Sequence, residues 1–410
     1  MNTDRTPLTN PFRPGAGHMP PYLAGREEEK SEFERLLSQN TILENLVLTG
    51  LRGVGKTVLL ETFKPMAQAK GWLWIGTDLS ETASLSETNI ATRLLVDLSV
   101  VTSSVQIGTA QQRGIGFADT VEQQPINLSF KVLVNVYEKT AGLPGDKLKA
   151  VLEFVHQHIH SIKNFRGIIF AYDEAQNLAD HAEQNQFPLS LLLDTFQSIQ
   201  RKNIPFMLAL TGLPTLFPKL VEARTYSERM FRVIFLDKLH SSAIKDAILI
   251  PLKNHSLQLS NQSISQISEL SGGYPYFVQF ICREVYDIFI QKFNTGIKPI
   301  VPQNEIIRKL DSDFFAGRWA RATDRQRELL AVAARLEDSG GEFTVQEVVI
   351  LSKKISIKAF SSSHVSQMFA TLCDAGLIYK NRHGRYSFAV PLLGRYILRQ
   401  EIDGINDNKV

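Results

Sequence analysis

Apolar positions in this chain fall into two regimes. As far as about residue 237, short continuous apolar runs alternate with stretches of helical spacing. The runs Asn45-Leu46-Val47-Leu48-Thr49-Gly50, Trp72 to Gly76, Gly167 to Tyr172, Phe206 to Leu210 and Phe231 to Leu236 read as strands. Between them, Glu27 to Leu37, Val58 to Ala69, Glu87 to Val100, roughly 130–141 and 146–162, and Leu189 to Arg201 carry helical spacing. Strands and helices in alternation predict an α/β fold, a parallel sheet covered by helices. Residues 102–128 interrupt the pattern with a polar stretch containing Gln and Gly. It is too long for a routine connection and is expected to be a functional or flexible insert.

From His240 onward the spacing is helical only, at about 240–252, 261–271 and 275–291. From about 320 the pattern changes again. Helices are expected near Asp324 to Leu336, Thr344 to Ser352 and Ser362 to Gly376, then strands Leu377 to Lys380 and Tyr386 to Val390 around Arg382-His383-Gly384-Arg385. Three helices and a hairpin is the order of a winged helix. The expected division is a Pro-rich lead (1–20), an α/β domain (21–238), a helical lid (239–319), a small winged-helix domain (320–402) and a tail (403–410).

Composition narrows this picture. The 410 residues, 43% apolar and 21% charged, suit a globular protein of two or three domains. No apolar run approaches the roughly 18 residues of a membrane helix. The lead, with Pro7, Pro11, Pro14 and Pro20, has no apolar core of a secretory signal, so a cytoplasmic location is expected. Cys282 and Cys373 sit in apolar helical patterns without metal-type spacing and are expected to be buried thiols. A net charge of +3 is too small to imply nucleic acid by itself, so any such reading depends on where the charge sits.

The chemistry concentrates at Gly50-Leu51-Arg52-Gly53-Val54-Gly55-Lys56-Thr57, a full match to G-x-x-x-x-G-K-[ST] between a strand and a helix. Glycines let backbone N–H groups approach phosphate oxygens, and the following helix N-terminus favours the negative charge. Gly50, Arg52, Gly53, Val54, Gly55, Lys56, Thr57 and Val58 are the expected phosphate-side residues. Lys56 is a point charge for the β- and γ-phosphates, and the Thr57 hydroxyl is a ligand for Mg²⁺. Asp173 ends an apolar strand where open α/β sheets place ligands and is the second expected Mg²⁺ ligand. Glu174 would orient and deprotonate the attacking water. Thr211, at another strand end, is placed to sense the γ-phosphate, and Arg229 or Arg232 is placed to act as an arginine finger toward a neighbouring subunit.

With these residues in place, the chain resembles AAA+ ATPases of the origin-recognition and initiator clade and their STAND relatives. Pro20-Pro21-Tyr22-Leu23-Ala24-Gly25-Arg26-Glu27 looks like the clade's adenine-side motif, which implies contacts from Tyr22, Leu23 and Gly25. Ser271-Gly272-Gly273-Tyr274-Pro275-Tyr276-Phe277 is similar to the STAND lid signature, which implies that Pro275 approaches the adenine or ribose. The initiator branch carries a lid arginine that senses γ-phosphate, and Gly273 to Gln279 holds none. That departure favours a nucleotide-controlled switch over replication initiation.

In the terminal domain, Ser362 to Phe369 is the expected groove-entering helix, with Val365, Met368, Phe369 and Leu372 toward the core. Lys353, Lys354, Lys358, Lys380, Arg382 and Arg385 are expected phosphate contacts, and His383 a turn residue. Together these readings predict a Mg²⁺-dependent ATPase that binds ATP and ADP, switches conformation or assembly, and engages double-stranded DNA. It would act as a homo-oligomer or with a partner protein, away from membranes. The alternative is a STAND-like regulator that binds a protein partner without nucleic acid.

Overall fold

The computed structural model describes residues 9–113, 121–294, 300–337, 341–355, 358–382 and 384–407. Its contacts divide the chain into two compact units. One holds Arg26–Gly50 and Lys56–Phe235; the other holds the described residues of Met1–Gly25, Leu51–Gly55 and Leu236–Val410.

The first unit is the α/β part. Helix α1 (Glu27–Leu37) begins with Glu27, Glu28 and Glu29 against its positive end and buries Phe33, Leu36 and Leu37. Strand β1 (Asn45–Gly50) leads to α2 (Lys56–Ala69), and the Phe33 and Phe63 rings stack at 4.2 Å between α1 and α2. Next come β2 (Trp72–Ile75) and α3 (Glu87–Thr102), whose N-cap Ser86 accepts the Asn89 N–H at 3.1 Å. Strands β3 (Gln106–Arg113) and β4 (Val121–Asn127) pair antiparallel as a separate two-stranded ribbon. The described parts of the polar insert therefore include two paired antiparallel strands. Helices α4 (Phe130–Lys139) and α5 (Pro144–His158) lead to β5 (Gly167–Tyr172), followed by α6 (Pro188–Arg201) and β6 (Phe206–Gly212). Helices α7 (Leu216–Ala223) and α8 (Ser227–Met230) and strand β7 (Phe231–Leu236) close the unit.

The main sheet has the order β2-β5-β6-β1-β7, with β2–β5, β5–β6 and β6–β1 paired parallel. Every residue of β1, β5 and β6 is buried, as expected of parallel strands covered on both faces. Two buried polar networks brace this sheet. Asn45 Nδ2 donates to Gln200 Oε1 and the Met230 carbonyl, while its Oδ1 accepts Gln200 Nε2 and the Leu208 N–H, both at 2.8 Å. Behind the end of β5, the buried Tyr172 hydroxyl donates to Asp97 at 3.1 Å, and Asp97 also takes both arms of Arg93. Burial, with the Asp97 carboxylate beside it, pushes the Tyr172 phenol well up.

The second unit is helical except for one small sheet. Helices α9 (Ser241–Leu252), α10 (Asn261–Ser271), α11 (Pro275–Asn294), α12 (Gln303–Leu310) and α13 (Ala316–Trp319) precede α14 (Asp324–Glu337). Strand β8 (Phe343–Thr344), α15 (Val345–Ile355), α16 (Ser362–Asp374), β9 (Ile378–Arg382), β10 (Arg385–Phe388) and α17 (Leu393–Asp407) complete it. The small sheet has the antiparallel order β8-β10-β9. One apolar cluster joins Phe12 and Ala24 to residues from Leu239 to Ile397 in this unit. Cys282 is buried as expected, but Cys373 is only partly so. It lies one residue beyond the buried Leu372, off the helix's core-facing stripe, and burial with Asp374 nearby pushes its thiol up to about 11.

Candidate active site

The chain leaves β1 at Gly50 and enters α2 at Lys56. Between them Gly53 and Gly55 take φ of 82° and 91°, left-handed values that glycine adopts without a Cβ penalty. A Cβ on Gly55 would meet nothing within 4 Å, so the loop is open at that point. Val54 is buried, and Arg52 and Val58 are half-buried. Leu51–Gly55 packs with the helical unit, where the Tyr276 N–H donates to the Gly53 carbonyl at 3.1 Å. Lys56 Nζ donates to the carbonyl of Gly50 at 3.0 Å.

On the same side of the sheet, the Thr57 hydroxyl donates to Asp173 Oδ2 at 2.5 Å, across 116 residues of sequence. Asp173 Oδ1 accepts the Glu174 N–H at 2.8 Å. Burial pushes the Asp173 carboxyl up, opposed by these two hydrogen bonds. A hydroxyl and a carboxylate meeting at one point form a donor pair suited to a hard cation. Glu174 follows in the left-handed region at φ 51°, with its side chain exposed. Thr211 stands on the neighbouring strand β6, which lies between β5 and β1, and is paired in register with Leu48. Its Oγ1 is fully buried and has no hydrogen-bond partner among the described residues, as is true of Thr49 at the end of β1.

Lys56, Thr57, Asp173, Glu174 and Thr211 thus gather at the C-terminal ends of β1, β5 and β6. Tyr22 and Leu23 are half-buried, and Gly25, at φ 62°, lies so close to α9 that a Cβ would come within 2.6 Å of the Ala243 methyl. Pro275 opens α11 directly before Tyr276. Arg229 is exposed on α8, whereas Arg232 Nε donates to Glu32 at 2.8 Å. Sequence reasoning missed Gln176 and Lys219. The Gln176 amide engages both Glu174 and the backbone beyond β6, and Lys219 Nζ donates to the Gln176 carbonyl at 2.8 Å. A glutamine two residues past an acidic pair carried no signal of that role.

Residues 22–214 match the AAA ATPase domain family. The chain resembles that family over this stretch. With the complete phosphate-loop motif and the acidic pair, it is an ATP-hydrolysing P-loop enzyme. Residues 312–397 match a domain of unknown function (DUF8462). The fold of the whole chain is similar to that of the Walker-type ATPase PABY2304 of Pyrococcus abyssi, at 14% identity and a TM-score of 0.56, covering 92% of this chain and 96% of that one. It is also similar to the ORC2 protein of Aeropyrum pernix in its ADPNP–ADP complexes, at 14% identity and a TM-score of 0.51, covering 96% of each. These likenesses establish a P-loop NTPase α/β fold with a C-terminal helical part. No protein of curated function matches the sequence. Among the described residues, no helix is long and apolar enough to cross a membrane.

Proposed function

We propose that the chain is an ATP-driven switch related to the origin-recognition branch of AAA+ proteins, and that it engages double-stranded DNA through its C-terminal module. The observation that carries the ATPase half is the convergence of Lys56, Thr57, Asp173 and Glu174 on one end of the sheet. Lys56 releases the Gly50 carbonyl to hold phosphate oxygens, and the N–H groups of Gly53 to Thr57 bind the same anion. Thr57 and Asp173 fit Mg²⁺, which keeps several waters and takes few protein ligands. Among the described residues no cluster of three or more His, Cys, Asp or Glu forms a metal cage. Bound there, Mg²⁺ would neutralise charge on the transferring phosphoryl group. Glu174 orients a water for in-line attack and takes its proton. The orphaned Thr211 hydroxyl gains its partner from the γ-phosphate or that water. Arg229, exposed and without an ion pair among the described residues, is the better finger candidate, because Glu32 already engages Arg232.

The DNA half rests on the order α14-β8-α15-α16-β9-β10 with its three-stranded sheet, the arrangement of a winged helix. Helix α16 buries Val365, Met368, Phe369 and Leu372 and exposes Ser362, Ser363, His364, Ser366 and Gln367. Lys353, Lys354, Lys358 and Lys380 are exposed around it. Arg385 is half-buried with Nε 3.8 Å from Glu342, and the side chains of Arg382 and His383 lie outside the described residues. The absence of any Lys or Arg from α16 itself favours a second reading, a STAND-like regulator whose module binds a protein.

ATP turnover measured with and without duplex DNA, at low and moderate salt, separates the two. The DNA reading predicts salt-sensitive retention and stimulated turnover that a Lys56→Ala variant lacks. Turnover indifferent to DNA, with no retention at low salt, would select the protein-binding reading.

A further inference from the structure

The Glu174 carboxylate is held by a neighbour. Gln176 donates from Nε2 to Glu174 Oε2, and its Oε1 accepts the Leu213 N–H at 3.1 Å. That Oε1 packs so closely on Gly212 that a Cβ there would come within 2.6 Å of it. From the other side, Lys219 Nζ fixes the Gln176 backbone through its carbonyl at 2.8 Å. One residue therefore spans from the acid at the end of β5 to Gly212, the last residue of β6, and Leu213 just beyond it.

This span matters because of what Glu174 would otherwise be. An exposed glutamate on a left-handed residue has several rotamers open to it and little packing to choose among them. An amide anchored at its oxygen and along its backbone removes that freedom. It occupies one carboxylate oxygen and leaves the other for water. An amide so placed on the β6 exit also shares any shift of that strand end with the carboxylate.

We propose that Gln176 is the positioning residue of the hydrolytic base, setting the Glu174 carboxylate and tying that setting to the end of the strand that carries Thr211. The inference rests on Glu174 being the base. Two substitutions divide the amide's contacts. Gln176→Glu keeps an acceptor for the Leu213 N–H but replaces the donor to Glu174 with a repelling carboxylate, whereas Gln176→Leu removes both.

The test measures kcat and KM for ATP, affinity for a fluorescent ADP analogue and Tm in the full chain carrying each substitution. Glu174→Gln and the double variant Glu174→Gln with Gln176→Leu are measured alongside. The expected result is a kcat lower by on the order of ten- to a hundredfold in both Gln176 variants, the penalty of a misplaced reacting group. KM and ADP affinity stay at wild-type values, and Gln176→Leu adds no further loss to Glu174→Gln. A wild-type or raised kcat in Gln176→Glu overturns the proposal. So does a loss that tracks Tm and nucleotide affinity, or a further fall in the double variant. Wild-type turnover in Glu174→Gln removes the base assignment itself, while a slow Glu174→Gln beside fast Gln176 variants removes the positioning role alone.

Discussion

The two ends of the β1–β6 pair are built in opposite ways. Where β1 begins, Asn45 is fully buried, and its donors and acceptor are all satisfied by Gln200, Met230 and Leu208. Where β1 and β6 end, Thr49 and Thr211 bury hydroxyls with no partner among the described residues, Lys56 rests on a backbone carbonyl, and Thr57 and Asp173 hold each other. A buried polar group left unpaired costs about 1–3 kcal/mol. A fold that satisfies one end of its sheet and leaves the other short keeps partners in reserve for a ligand at the short end. The same sheet thereby separates stability from chemistry.

Substitutions at the two ends should then fail in different ways. The largest effect belongs to Lys56→Ala, which should lower ATP turnover by on the order of 10³-fold while the Tm of nucleotide-free protein moves little. Steady-state kinetics and a thermal melt of the same sample check this. A variant that loses turnover only because it has melted would break the comparison. Next is Asn45→Ala, which leaves several buried groups unpaired and should cost about 2–3 kcal/mol in denaturant unfolding. Its kcat per folded molecule should not change, so a slowed but fully folded enzyme would show that the distant end also serves the chemistry. The smallest and sharpest case is Thr211→Val, which keeps the shape and deletes the orphan hydroxyl. It should raise stability by about 1 kcal/mol and lower kcat roughly tenfold, opposite signs that equilibrium unfolding and turnover assays would read together.

Much of the sheet could be read from sequence because β1, β5 and β6 are buried on both faces, which writes them as unbroken apolar runs. Helix α1 kept the bounds expected of it because acidic residues mark its start and its apolar stripe marks its span. Strands β3 and β4 were illegible for the converse reason. They are Gln-rich and pair with each other and with no other strand of the described structure, so their sequence carries no apolar run. Strand β8 spans only Phe343–Thr344, too short to carry a pattern. In the site, the phosphate loop from Gly50 to Thr57 follows a local spacing that the sequence displays directly. Gln176 was not legible, since its role depends on β6 lying beside β5. Nor could sequence separate Arg229 from Arg232, because Glu32 lies 200 residues away along the chain.

The central claim is that Glu174 performs the hydrolytic proton transfer at the ligand-hungry end of the sheet. The direct test is to incubate Glu174→Gln with ATP and Mg²⁺, and to quantify both turnover and the nucleotide that remains bound. The account predicts turnover lower by roughly 10²–10⁴-fold, the usual worth of a positioned general base, with intact ATP retained on the protein. Turnover at the wild-type rate, or bound nucleotide recovered as ADP, would contradict it.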